Sequence, residues 1–231
     1  MADELVIDCR GKEPRDINSA LKTHAPEYDR IVLKNPDAKH YIAAGLTEKV
    51  EVIIEGSVGY FVGTMIHGPR IIVKGNAGWY PGDNVTAGEV IIENHAGDGV
   101  GQGMYGGTVV VKGNAGSRVG QIMKNGTVII GGDVEIMTGM YMMGGTIIVL
   151  GDAGTYTGES MLRGEIYVLG EVEGLGKNAK TVEPTDEDID RVWETISGYG
   201  LDVTRDDLRS LTKIVPESKR PFYGGSDMEE G

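Results

Sequence analysis

A fixed interval of nineteen residues governs this chain. Short β-branched runs open at Val52 (VIIEG), Ile71 (IIVKG), Val90 (VIIEN), Val109 (VVVKG), Val128 (VIIGG), Ile147 (IIVLG) and Ile166 (IYVLG), with no insertion between starts. A degenerate earlier unit starts at Ile31 (IVLKN), 21 residues before Val52. Val/Ile runs of this length fit short strands, and strands recurring at one interval build a stack of equivalent coils. The chain has 37 glycines in 231 residues, more than double the usual ~7% share. Thirty of them lie between Gly56 and Gly176, so the bias belongs to the repeat.

Each column of the repeat has a physical reading. Counting Val52 as position one, position five holds only glycine or asparagine (Gly56, Gly75, Asn94, Gly113, Gly132, Gly151, Gly170), the residues that most readily take positive φ at a turn. Position twelve is glycine in six consecutive coils: Gly63, Gly82, Gly101, Gly120, Gly139 and Gly158. A third turn column runs Gly88, Gly107, Gly126, Gly145 and Gly164, with Pro69 in the first coil. Between two of these corners lie Ile66, Val85, Met104, Met123, Met142 and Met161, which stacking ~4.8 Å apart makes an internal apolar ladder. A metal-binding methionine box is the sharper reading of that column, but coil stacking already explains it.

Three corners per coil predict an all-β fold: a right-handed parallel β-helix of about seven 19-residue coils over residues 31–180. Residues 1–30 form a small α/β N-terminal cap, with a strand at Leu5–Cys9 and a helix around Asp16–His24. Residues 181–231 form a C-terminal extension of helices and a tail. Thr185 with Asp188 reads as a capping box opening a helix through Ile196, and Thr204 with Asp207 as the start of a second helix through Leu211. Gly174 to Lys180 reads as a loop.

Side chains alternate in and out along a strand, yet the first three positions of each coil are all apolar. With positions one and three inward, an outward stripe of Ile53, Ile72, Ile91, Val110, Ile129, Ile148 and Tyr167 remains. A stripe this long is too apolar to leave in water. Either the flanking helices cover it or it is a docking face for another subunit, and the RPFY segment near the C-terminus is a second docking candidate.

A net charge of −13 argues against nucleic acid or an anionic membrane as the main partner. The single cysteine, Cys9, excludes an internal disulfide or a cysteine-rich cluster within one chain and suits a reducing cytoplasmic setting. No basic-then-apolar leader opens the sequence and no apolar run approaches ~20 residues, so secretion and membrane insertion are not expected.

Chemistry is hard to find. Gly101-Gln-Gly103-Met-Tyr-Gly106 matches the dinucleotide fingerprint formally, but another strand follows it where a helix is required. The nearest approach to a nucleophile elbow is Gly158-Glu-Ser160-Met-Leu162, which is not one. His24, His40, His67 and His95 show no metal spacing. His95 shares position six with Ser57, Asn76, Asn114, Asp133, Asp152 and Glu171, so it reads as a corner residue. Asp133 and Asp152 stack as like charges that would attract a cation, against the plainer reading of a solvated polar ladder.

The iterated pattern KGNAGWYPGDNVTAGEV, KGNAGSRVGQIMKNGTV and LGDAGTYTGESMLRGEI resembles the GXGXG-repeat domain at the C-terminal end of the glutamate synthase large subunit. NPDAKHYIAAGL and KIVPESKRPFY resemble the segments that flank that domain. One of the subunits of formylmethanofuran dehydrogenase and one of those of N-methylglutamate synthase carry similar repeats. The resemblance implies a non-catalytic scaffold, with no catalytic, cofactor or metal residue in this chain. It further implies a glutaminase-type amidotransferase partner and an FMN-binding synthase partner, with the FMN and an iron–sulfur cluster in the partner subunits, and it leaves a homo-oligomer open. The formylmethanofuran-type redox complex is the alternative scaffold role; a stand-alone hydrolase or binding protein is the third class.

Overall fold

The structure is a computed structural model, and it describes residues 3–219. The chain opens with β1 (Glu4–Asp8), α1 (Pro14–His24) and β2 (Arg30–Lys34). One strand per coil follows: β3 (Glu51–Glu55), β4 (His67–Val73), β5 (Ala87–Ile92), β6 (Thr108–Val111), β7 (Thr127–Ile130), β8 (Met143–Val149) and β9 (Arg163–Val168). The C-terminal part comprises β10 (Ala179–Val182), α2 (Asp186–Ile196) and β11 (Thr212–Pro216). These eleven strands form one sheet in the order β1 to β9, then β11, then β10. Pairing is parallel from β1 through β9, in the register the repeat dictates: Val52 opposite Ile71, Ile71 opposite Val90, Val90 opposite Val109. The result is a parallel β-solenoid of about seven turns, closed by β11 running antiparallel to β9.

Positions one and three point into the solenoid, where Val52, Ile54, Ile71 and Val73 and their successors form one core. The methionine ladder joins it: Met104, Met123, Met142 and Met161 are fully buried. A second side of each coil is tied by single bridges linking Val58, Ala77 and Ala96, and again Ala115, Val134, Ala153 and Val172. Helix α1 seals the first coil with Ile17 and Leu21 against the same core, and Cys9 is buried there as a free thiol.

The twelfth-column glycines all take positive φ, between 64° and 75°. A β-carbon on Gly101 would also lie 2.5 Å from Val128 Cγ2. The residues two before and two after them take positive φ as well, and most are not glycine: Phe61 and Met65, Arg118 and Ile122, Tyr156 and Ser160. The alternation reverses the direction of successive amides. Arg118 and Ile122 donate forward to the Ile136 and Met140 carbonyls, while Gly120 between them donates back to Val100. Stacking on both sides holds these residues in a conformation they would avoid alone.

Three expectations are corrected. In the fifth column only Gly56 has positive φ. The other glycines of the column are small because the place of their β-carbon is filled from the coil below: a β-carbon on Gly132 would lie 2.0 Å from Asn114 Oδ1, and one on Gly151 2.2 Å from Asp133 Oδ1. The segment read as a loop to Lys180 enters β10 at Ala179. The second C-terminal helix is a single 3-10 turn, Asp207–Ser210; Thr204 and Asp207 do pair at its start, but the chain then leaves into β11.

Candidate interaction surface

The outward stripe is divided. Ile91, Val110, Ile129, Ile148 and Tyr167 are buried beneath the C-terminal segment, packed against Ile189, Val192, Ile196, Leu208 and Leu211. As a docking face for another subunit, this part of the stripe is corrected: the chain's own strap occupies it. Ile72 packs at the edge of that cluster and Ile53 lies outside it; both are half-buried.

What flanks the stripe decides where the strap sits. From β1 to β5 the flanking positions alternate in sign from one strand to the next: Glu4, Arg30, Glu51, Arg70, Glu89 on one side and Asp8, Lys34, Glu55, Lys74, Glu93 on the other. Neighbours pair, as in Arg30–Glu51 at 2.6 Å, Arg70–Glu89 at 3.2 Å and Lys74–Glu93 at 3.6 Å. Under the strap the alternation ends: the same positions are Thr108, Thr127, Thr146 and Glu165 on one side and Lys112, Gly131, Leu150 and Leu169 on the other. Desolvating charges is costly, so the strap is centred on strands whose margins are mostly uncharged, and the charges that remain are paired, Lys112 with Glu93 at 2.8 Å and Glu165 with Lys213 at 2.8 Å. This signal was present in the sequence and was missed.

A cluster of charged groups fastens the strap. Helix α2 begins with the expected capping box, Thr185 and Asp188 bonding each other's backbone amides. The Asp188 carboxylate, almost fully buried, also accepts from Lys213 Nζ at 2.9 Å and from Arg191 at 2.6 Å. The Tyr167 hydroxyl lies 2.9 Å from both Asp188 and Glu165 and accepts from Arg191. Burial alone would raise the Asp188 carboxyl, but the Thr185 amide, Lys213 and Tyr167 together hold it well below the usual carboxylate range. Burial and its acidic neighbours push the Tyr167 hydroxyl well above its ordinary value. At the far end, burial and the hydrogen bond to Glu89 push Tyr199 up to about 12. Every member of these groups is engaged in holding the strap.

Position six forms a polar relay along another edge. Each side chain accepts the backbone amide of its counterpart one coil on: Ser57 from Asn76, Asn76 from His95, His95 Nδ1 from Asn114, and Asn114 from Asp133. Asp133 accepts from Asp152, and Asp152 from Glu171. His95 is therefore a corner residue serving as an acceptor. Among the described residues, no group of three or more His, Cys, Asp or Glu is placed to hold a metal ion. No described helix is long and apolar enough to cross a membrane.

The third side carries what the sequence reading missed. His40, Tyr60 and Trp79 stack at 4.5 and 4.8 Å, and beside them Tyr41, Phe61 and Tyr80 stack at 4.9 and 5.0 Å. These rings stand over glycines of the next coil, since β-carbons on Gly78, Gly97 and Gly99 would lie within 2.5 Å of Tyr60, Trp79 and Tyr80. Tyr156 is exposed in the column of Phe61 and Tyr80, whereas Tyr105 and Met143 are exposed at position sixteen, past the twelfth-column glycines. Read down the ninth to seventeenth positions, aromatic residues and methionine recur at the coil interval. The RPFY segment, the other docking candidate, lies outside the described residues.

The GXGXG motif family model matches residues 27–196. The chain belongs to the GXGXG family. Its signature is the alternation of positive-φ residues described above, written in full glycine only at Gly99, Gly101 and Gly103. This GXGXG chain is also similar to a chain of the formyltransferase/hydrolase complex of Methylorubrum extorquens, solved with methylofuran. That match has a TM-score of 0.70 and 24% identity, covering 90% of this chain and 88% of that one, and it shows the fold. Comparison with curated proteins finds no match.

Proposed function

We propose that this GXGXG chain is a non-catalytic scaffold that positions the catalytic parts of a cytoplasmic enzyme complex. One observation carries the reading: the likeness to a chain of a formyltransferase/hydrolase complex covers 90% of this chain and 88% of that one. The structure is consistent in kind. Its buried charged groups fasten the strap, and its stacked ladders make a rigid body with long, regular faces.

The repeats and their flanking segments favour a glutamate synthase-type complex. There a glutaminase-type amidotransferase subunit would supply ammonia, and an FMN-binding synthase subunit with an iron–sulfur cluster would add it to the acceptor and reduce the product. A second reading, a formyl-transfer complex, is favoured by the structural neighbour itself. Affinity capture of the tagged full chain from its native cytoplasm, at moderate salt, tests both by mass spectrometry and a flavin absorbance scan. A glutaminase and a yellow flavoprotein co-eluting in fixed ratio support the first. Formyltransferase or hydrolase subunits support the second. A chain that elutes alone and colourless overturns the scaffold role.

A further inference from the structure

Near its last described residues the chain is pinned beside the glycine corner. The Glu217 amide donates to the Asn178 carbonyl, and the Asn178 side chain donates to the Ser218 carbonyl at 2.6 Å and accepts the Ser218 amide at 2.9 Å. The same Asn178 Nδ2 donates to the Met161 carbonyl of the sixth coil at 2.7 Å. By count Asn178 is position thirteen, but the seventh coil is one residue short at this corner. The Ser160 amide donates to Lys177 as the Ile122 amide does to Met140, and Asn178 has positive φ like Ile122, Tyr141 and Ser160. Asn178 therefore ends the column of position fourteen, and the chain leaves from that point.

That column leads back over apolar ground. Tyr156 of the sixth coil is 52% exposed and Met143 of the fifth is 41% exposed, one at position ten and the other at sixteen, on either side of the column. Met140 and Leu162 are half-buried between and beside them. An exposed cluster of this kind marks a surface that something covers. Glu159, at position thirteen of the sixth coil, accepts the Lys177 amide and the Ser160 hydroxyl and has no salt bridge with a described residue.

The sequence that follows Ser218 says what covers it: Lys219, Arg220, Pro221, Phe222, Tyr223. Ser218 follows β11, which pairs with β9 and so lies one layer past the seventh coil. Layers recur every ~4.8 Å and an extended residue advances ~3.3 Å, so about one and a half residues cross one coil. Counted back from β11, Arg220 and Pro221 reach the sixth coil, where Glu159 stands, and Phe222 reaches the fifth, where the methionines stand. Guanidinium meets carboxylate and ring meets thioether, so the order of the segment matches the order of the surface. Pro221 brings no amide that would need an acceptor there.

We propose that Arg220–Tyr223 docks back on its own chain across the sixth and fifth coils, with Arg220 on Glu159 and the two rings over Met140, Met143 and Tyr156. The segment closes this half of the corner as α2 closes the strand face. The front half, where Met65 and Trp79 are exposed, stays uncovered. This docking is independent of which catalytic parts the scaffold holds.

Photocrosslinking of the full chain tests it, with p-benzoylphenylalanine in place of Phe222. Irradiation in dilute solution, proteolysis and mass spectrometry should place the crosslink within one chain, on residues 140–162. Arg220→Glu should lower the yield about fivefold, and adding Glu159→Lys should restore most of it by remaking the pair in reverse. Peroxide should oxidise Met143 about threefold faster in Phe222→Ser/Tyr223→Ser than in the native chain. Circular dichroism checks that each variant keeps the fold. Crosslinks to another part of the chain, crosslinks only between two chains, a yield indifferent to Arg220→Glu, or equal oxidation of Met143 would overturn the proposal.

Discussion

The Tyr167 hydroxyl reaches the buried carboxylate of Asp188 at 2.9 Å, tying the seventh coil to helix α2. This contact links the repeat to the segment that covers it. Replacing Tyr167 by Phe should cost about 1–2 kcal/mol, since Asp188 keeps its other donors. Asp188→Ala should cost more, about 3 kcal/mol, by removing both the α2 capping box and the buried acceptor shared by Tyr167, Lys213 and Arg191, leaving the two cations Glu165 alone. Urea denaturation of the two variants checks the ranking.

The same carboxylate sets an acid limit. Its folded pKa is depressed, so its contribution is complete above the ordinary carboxylate value of about 4 and is lost as pH falls below that. Stability of the native chain should therefore drop between about pH 4 and pH 2 more steeply than that of Asp188→Asn. Parallel slopes for the two would show that Asp188 is not the group responsible.

Inside the solenoid the fully buried Thr138 hydroxyl has no hydrogen-bond partner among the described residues. It stands in an inward column otherwise filled by Val62, Pro81, Val100, Val119 and Thr157, and Thr157 bonds the Gly154 carbonyl. Thr138→Val keeps the shape and removes the stranded group, and should stabilise the chain by about 1 kcal/mol. A melting temperature that falls would mean that the hydroxyl has a partner.

Gly101→Ala combines a positive φ with a β-carbon 2.8 Å from the Met104 sulfur, and should destabilise by about 2–4 kcal/mol. Gly198, with open space at its β-carbon position, should accept alanine at little cost and serves as the control.

Lysine along the stripe should report the edge of the strap. Ile129→Lys places a charge beneath helix α2 and should cost about 3 kcal/mol or more, whereas Ile53→Lys should cost well under half of that. Equal losses would mean that both ends of the stripe are covered alike.

Much of the fold was legible because identical positions in successive coils must satisfy one geometry. Inward positions one and three, the methionine ladder and the twelfth-column glycines all follow from that. The fifth column was misread because its constraint is a neighbour one coil away, the Asn114 or Asp133 side chain, and not its own backbone. The aromatic corner was missed for a related reason. Tyr60 and Trp79 are nineteen residues apart, and reading each coil against a consensus discards what differs between coils. The strap's position was readable in principle from Thr108, Thr127 and Thr146, where the regular alternation of charges along the stripe ends. The short 3-10 turn after Thr204 was not, because what ends it is a long-range pairing: from Thr212 the chain runs as β11 against β9.

The alternating margins of β1 to β5 also govern how a protein of this kind can grow. Arg70 and Lys74 sit between strands carrying Glu51 and Glu55 on one side and Glu89 and Glu93 on the other. Tandem duplication of that one coil would lay arginine beside arginine and lysine beside lysine at ~4.8 Å, while duplication of two coils preserves every opposite pairing. The threonine-margined coils under α2 obey no such rule. Lineages of this solenoid should lengthen by even steps at the front and by single coils at the back.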